Sequence, residues 1–599
     1  MSILRNATPE QLRGPAAPSW RRVAMLGSAL TAALALSSVA ELHVWPTNAW
    51  ANETADKLVE DAGRKLREQD VAGALRLLEQ ALDAAPADPA ANVLYQETAR
   101  QVLGLADLQA RYQKLADEHA DDPLYLYFLT RLKEPAKALP GFESLAGKHP
   151  SSPWPLIGKA RALHDLDRAS DSIAALSAAV AIDAKNANIV AMQAFALERS
   201  EHFSEAAEAW AQVLALRPTD RTARVGRGEA LRRAGQGQAA LDVLNAAATA
   251  DATDPDPHYR IGLVHLDTHR YAEATVAFDR ALGLERGMVE ALVGASEAVL
   301  KRALADAKKA RKDADEKALL SALNYATRAI ASNPDSARAH FAQGAVYEAL
   351  GELDADHLDS AFDAYGEALD LLPFPGPERV RVLVARSFVL LRQASWDAAV
   401  SVAQQALDID PKNVPAMLHA GHALSQMGKF AEAIKQHYKP GLKIAKDDPR
   451  LLYGSGMASW SLKKATDAKK TLERAAKLDP DNGLYHLSLG ELYYELKRYK
   501  DAVAELFTAT ELRPKDAATW TAYGRACTSG KHYKEAVEAF DAAIKLNKEA
   551  LDEFLWIAII YDKHLNDREK AKEYLEKWFE RGPEDDPNLE AWIDDVFGD

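Results

Sequence analysis

Apolar residues along this chain recur at the three- and four-residue spacing of a buried helix face, and the faces come in pairs. Between Pro480 and Lys548 the series Gly490, Tyr499, Ala502, Leu506, Ala509, Pro514 is followed by Gly524, Tyr533, Ala536, Phe540, Ala543. Glycine, tyrosine and alanine each return after 34 residues. The pattern predicts two antiparallel helices per period, joined by a short turn. A glycine inside a helix costs about 1 kcal/mol relative to alanine. Its recurrence therefore implies a steric demand: the second helix crosses closely there, and the second-helix alanine (Ala468, Ala502, Ala536) meets the same contact from the other side. Enlarging that alanine is expected to overpack the contact by roughly 1–3 kcal/mol. The preceding aromatic (Phe203, Tyr271, Phe430, Tyr499, Tyr533) fills the turn, and a proline closes the unit because it cannot continue the helix.

The same register runs through most of the chain. Ala62, Ala74, Leu78, Ala81 and Pro86 open it, and Ala160, Ala194, Gly228 and Gly262 continue it with partners Ser172, Ala206, Ala240 and Ala274. Later slots are Ser387/Ala399, Gly421/Ala433, Gly456/Ala468, Gly490/Ala502, Gly524/Ala536 and Ala558/Ala571. From 89 to 150 the glycine slot is lost, although Leu94, Leu103, Leu108, Tyr112 and Leu115 keep helical spacing. Two insertions stretch the period: the charged segment 301–317, expected as an exposed extended helix, and 351–359. The step from Gly421 to Gly456 is 35 residues, which places one additional residue near Pro440-Gly441. Leu589, Trp592, Ile593, Val596 and Phe597 form an apolar stripe, expected as a C-terminal capping helix with a polar outer face. The predicted blocks are 1–51, 52–152, 153–375, 376–583 and 584–599.

A 34-residue period with these small and aromatic slots resembles the tetratricopeptide repeat. The resemblance covers about nine-tenths of the chain, is strong over 187–255 and 380–548, and is weak over 89–150. It implies an all-α fold, a right-handed α-α superhelix of about 12–15 helix-turn-helix repeats. It also implies an inner surface lined by first-helix residues that grips a protein or peptide in a concave groove. Placed on this sequence, the lining positions give Phe388, Arg392, His422, Tyr453, Met457, Trp460, Glu491, Tyr494 and Arg525, with Tyr259 and Phe341 further up the chain. Glu198, Arg199, Glu229, Arg232 and Arg233 make a more charged stretch. The lysine-plus-asparagine clamp of chaperone-binding members does not recur in these slots, which disfavours chaperone docking. Two alternatives stand beside a protein-binding scaffold: a component of polysaccharide export or pilus assembly, and a glycan binder stacking sugars on Tyr453, Trp460 and Tyr494.

The first 51 residues lie outside the repeat pattern. Arg21 and Arg22 precede an uncharged run, Val23 to Ala40, and then Ala49-Trp50-Ala51. That order is the signature of a bacterial signal peptide cleaved near Ala51. An uncleaved membrane anchor at 23–40 is the alternative, and the arginine pair partly resembles a twin-arginine signal. The reading is export to the periplasm or tethering at the inner membrane.

Composition narrows the chemistry. The formal net charge of −15 argues against wrapping nucleic acid, which needs a clustered basic surface. Cys527 is the only cysteine, so no intrachain disulfide and no multi-cysteine metal site can form, and its helix slot reads as packing. No GxxxxGK[ST], GxSxG or HExxH motif occurs. Gly226-Arg227-Gly228 and Gly235-Gln236-Gly237 read as repeat glycines, and Ser461-Leu462-Lys463-Lys464 sits at an inter-helix turn. His265 and His269 stand four apart but fall in a buried slot and a turn. No enzyme, cofactor or metal site is expected.

Overall fold

The computed structural model describes residues 53–310, 313–547 and 551–580, and these are helical throughout, with no strand among the described residues. The all-α solenoid class expected from the sequence is what the chain has. Fifteen helix pairs follow one another among the described residues, from Glu53–Arg67 with Val71–Ala84 to Leu551–Lys563 with Arg568–Phe579, counting 430–444 as one bent helix. The chain divides into two compact units, 1–298 and 299–599. The expected signal or anchor segment 1–51 and the expected capping helix at 588–597 lie outside the described residues.

Helix starts and stops follow local chemistry. First helices begin at side-chain caps: Asp88 accepts from the Ala91 N–H at 2.7 Å, Asp220 from Ala223 at 2.9 Å and Asn413 from Ala416 at 3.1 Å. The closing proline leaves its carbonyl exposed to the next helix, and a side chain six residues on donates to it. Asn92, Arg224 and Trp520 do this to Pro86, Pro218 and Pro514, at 2.9, 2.7 and 3.1 Å. First helices end in a Schellman arrangement, with Arg498 N–H reaching Tyr493 O at 2.8 Å and Lys497 N–H reaching Tyr494 O at 2.9 Å. That geometry puts one residue at positive φ. Glycine supplies it at Gly235 and Gly428, but other turns use Gln69, Asp167, Glu201, His269, Ala394, Lys463, Lys497, Lys531 and Asn566. A side chain in this region costs roughly 1–2 kcal/mol.

The repeat alanines are buried as expected, with Ala206, Ala240, Ala274, Ala399, Ala468, Ala502, Ala536 and Ala571 all at 0% exposure. The partner of the glycine differs from the expectation. A Cβ on Gly490 would lie 2.5 Å from Leu506 Cγ, and one on Gly524 would lie 2.7 Å from Phe540 Cε1. The same relation holds for Gly262 with Phe278 and Gly456 with Leu472. The glycine therefore makes room for a large side chain one turn beyond the alanine.

Within the insertion 301–317 the helix Val289–Ala310 runs on as an extended helix, exposed over most of its surface as expected, with Ala303 and Ala307 burying one face. Leu300 and Ala303 pack with Leu319, Ala322, Val346 and Leu350. The remaining sides, with Lys301, Arg302 and Asp306, are exposed. Leu103 keeps the spacing but follows its helix as the C-cap and is 47% exposed. The additional residue between Gly421 and Gly456 lies slightly upstream of Pro440, in a π-helical turn at Ala433–Tyr438 closed by Lys439 N–H onto Ile434 O. The wider turn accommodates one more residue per helical circuit. It leaves Tyr438 buried beneath both Gly421 and Gly454, where a Cβ would lie 2.7 and 2.6 Å from the ring.

Candidate functional site: the first-helix face from Phe388 to Arg525

All nine lining residues fall on first helices of the second unit, on Pro377–Arg392, Val414–Gln426, Pro449–Ser461, Gly483–Glu495 and Ala517–Ser529. They separate into two groups. Tyr453, Met457, Trp460 and Tyr494 border one apolar cluster that also holds Leu472, Leu489 and Leu506. Phe388 borders another, with Leu390, Leu391, Ala399 and Ala423.

In the first group the polar end of each aromatic is tied to the next unit. Tyr453 Oη lies 3.2 Å from Ser488 Oγ, and its ring tilts against Tyr485 at 4.9 Å. Trp460 Nε1 donates to Glu495 Oε2 at 2.5 Å. Ser529 Oγ donates to Tyr494 Oη at 3.4 Å, and the Arg525 guanidinium lies over the Tyr494 ring at 5.3 Å. Each hydrogen bond joins residues 35 apart, so the ladder is a product of the repeat. The rings of Tyr453, Trp460 and Tyr494 are half-buried, while Glu491 and Arg525 are exposed. Burial, partly offset by the Ser488 contact, raises the Tyr453 hydroxyl above its usual range.

The second group is held differently. Phe388 tilts against His419 at 5.6 Å, and His422 stacks on Trp396 at 6.2 Å. Arg392 pairs with Glu352. His419 Nδ1 lies 2.8 Å from Ser387 Oγ, which donates onward to Val384 O at 2.7 Å. The hydroxyl thus accepts from the imidazole N–H. Burial pushes His419 down to about 4, so it is neutral. Ser387 is at 0% exposure, and this serine–histidine contact is an interhelical pin with no access for a substrate.

Tyr259 and Phe341 turn their rings onto Phe278 and Tyr365, at 5.9 and 5.4 Å, and belong with the packing between helices. Within the charged stretch of the first unit, Glu198 and Glu229 are held by neighbouring side chains. Trp210 Nε1 donates to Glu198 at 2.8 Å, and Glu229 receives Arg232 at 2.7 Å and Arg260 at 3.2 Å. Arg260 was not among the residues singled out by spacing; its place two residues before the Gly262 slot was the available signal. His265 and His269 do not converge on a third ligand, and no group of three or more metal-ligating side chains occurs among the described residues. Cys527 is at 0% exposure with its thiol pushed up to about 11 by burial, in keeping with a packing role. Among the described residues no helix is long and apolar enough to cross a membrane.

Sequence families agree with this architecture. Models described as tetratricopeptide repeat match residues 192–255 and 318–374, 390–454 and 459–526, and 517–549. The Protein CTR9 homolog of Arabidopsis thaliana is 31% identical over 100 residues, which is 16% of this chain and 9% of that protein. The chain therefore spans less than a tenth of the curated relative it matches. Among solved structures, the APC/C hetero-tetramer Cut9-Hcn1 is 14% identical with a TM-score of 0.42, covering 91% of this chain and 97% of that one. YrrB, titled a TPR protein with an unusual peptide-binding site, is 22% identical with a TM-score of 0.30, covering 32% of this chain and 97% of that one. Matches to the tetratricopeptide-repeat models thus fall in both compact units.

Proposed function

We propose that this chain is a non-enzymatic protein-interaction scaffold that holds a partner protein or peptide in a concave groove along the first helices, between Phe388 and Arg525. The observation that carries this reading is the ladder Tyr453–Ser488, Trp460–Glu495 and Tyr494–Ser529, which fixes half-exposed aromatic rings in place. Rings held in one orientation lose little freedom on binding, and aromatic and arginine side chains supply much of the energy of protein interfaces. Cross-linking in intact cells, followed by identification of what is captured, tests it. The variant Trp460→Ala, Tyr494→Ala is expected to lose the captured partner, and an unchanged set of partners sinks the groove. Loss of polysaccharide binding with partners retained favours the glycan reading, for which the same half-buried rings would serve as stacking platforms.

The scaffold is proposed to work in the bacterial cell envelope, exported with cleavage near Ala51 or tethered through 23–40. The order Arg21-Arg22, Val23–Ala40, Ala49-Trp50-Ala51 supports this. A role in polysaccharide export or pilus assembly is the narrower form of the proposal and rests on the family resemblance. A mature N-terminus at Met1 in a cytosolic protein overturns the envelope assignment.

A further inference from the structure

We propose that the turn edge formed by Lys463, Lys497 and Lys531 is a docking surface for a carboxylate-rich segment of a partner polypeptide, distinct from the groove. The three lysines are 34 residues apart and occupy the same Schellman turn position, at φ 59, 58 and 66°. Glycine is the unstrained residue there, as at Gly235 and Gly428. In three consecutive turns a strained lysine stands instead. Lys464 and Arg498 follow directly and are also exposed, Arg498 being paired with Asp501 at 2.7 Å. Lys463 reaches Glu495 only at 3.7 Å and keeps 80% of its side chain exposed. Lys497 and Lys531 have no carboxylate within ion-pair distance among the described residues.

Local physics does not demand these charges. A cation at a helix C-terminus is favoured by the peptide dipoles, and that argument applies equally to every such turn. Yet the first unit places Gln69, Asp167 and Glu201 at this position, with opposite or no charge. The basic row also runs against the balance of a chain with a formal net charge of −15. What remains is a demand from whatever faces the edge.

The spacing identifies the class of partner. Packed helices lie about 8–10 Å apart, so each layer offers one lysine at roughly that interval. A polyproline II segment advances about 3.1 Å per residue with about three residues per turn, so acidic side chains at every third position share one face and meet one lysine per layer. Duplex nucleic acid carries one charge per about 1.7 Å, far denser than this row.

The test uses the full chain and a fluorescein-labelled peptide with glutamate at every third position, read by anisotropy. The charge-reversed variant K463E/K497E/K531E is expected to weaken binding about tenfold or more. The variant K463G/K497G/K531G removes charge and strain together: binding weakens by about threefold or more while the thermal midpoint rises. Rising stability with falling affinity separates this role from a structural one. Absence of peptide binding overturns the proposal, as does peptide affinity unchanged by charge reversal. It is equally overturned if a single-stranded oligonucleotide or phosphatidylserine vesicles bind through these lysines and the peptide does not. Each of these failures leaves the groove, tested at Trp460 and Tyr494, standing.

Discussion

Between 449 and 546 each helix pair meets through a glycine facing a large apolar side chain, Leu472, Leu506 or Phe540, with alanine one turn away. Between 89 and 150 that slot is empty of glycine, and a buried polar network joins the apolar core of Leu94, Leu108, Tyr112 and Phe128. Arg131, with 3% of its side chain exposed, donates to Gln96 Oε1 at 2.6 Å and Glu97 Oε1 at 2.8 Å. Gln96 in turn donates to Phe128 O at 2.9 Å, and Tyr112 Oη donates to Asn92 Oδ1 at 2.9 Å. The helices are alike, but their tolerances are not. Small-against-large packing fails when volume is added, whereas a buried polar network fails when a single partner is removed.

The largest test of that contrast is Arg131→Met. It removes the donor to Gln96 Oε1 and leaves Glu97 to Arg161 alone, at 3.4 Å, and is expected to cost about 3 kcal/mol in urea unfolding followed by helical circular dichroism. If Arg131→Met is near neutral, the network is decoration. Gly490→Val attacks the other region and is expected to cost roughly 1–3 kcal/mol, with Leu506→Ala in the same chain recovering part of the loss. Failure of that rescue would put the glycine's role elsewhere. Glu201→Gly, at φ 62°, is expected to stabilise by about 1 kcal/mol by relieving a left-handed side chain.

The smallest effect concerns pH. His486 Nδ1 lies 2.7 Å from Glu505 Oε2 and its Nε2 lies 3.0 Å from Pro480 O. Both partners are acceptors, so the ring is satisfied only when doubly protonated. The contact with Glu505 accordingly raises its pKa above the ordinary 6.5. The stabilisation is complete below pH about 6.5 and disappears as pH rises through the raised folded value. The stability gap between the parent and His486→Gln should close over that range, by on the order of 0.5 kcal/mol. A gap that is flat or widens with pH contradicts the assignment.

The sequence disclosed the small slots well, because glycine and alanine at a fixed period admit few other meanings, and Ala468, Ala502 and Ala536 are buried as their spacing implied. It misjudged the partner of the glycine, since Leu506 and Phe540 look like ordinary helix hydrophobes until the crossing is seen. The network around Arg131 was illegible, because arginine and glutamine in a helix read as solvent-facing residues without their partners. For the candidate groove, spacing placed Tyr453, Trp460 and Tyr494 on first helices, but it could not show that their polar ends are tied to Ser488, Glu495 and Ser529.

The π turn at Ala433–Tyr438 has a genealogical consequence. One residue inserted into an α-helix rotates everything beyond it by about 100°. Here that error is cancelled within six residues, and the repeats after Gly456 return to the 34-residue step. Descendant arrays could thus be lengthened, duplicated or exchanged downstream as intact cassettes, with the scar of the insertion confined to one helix.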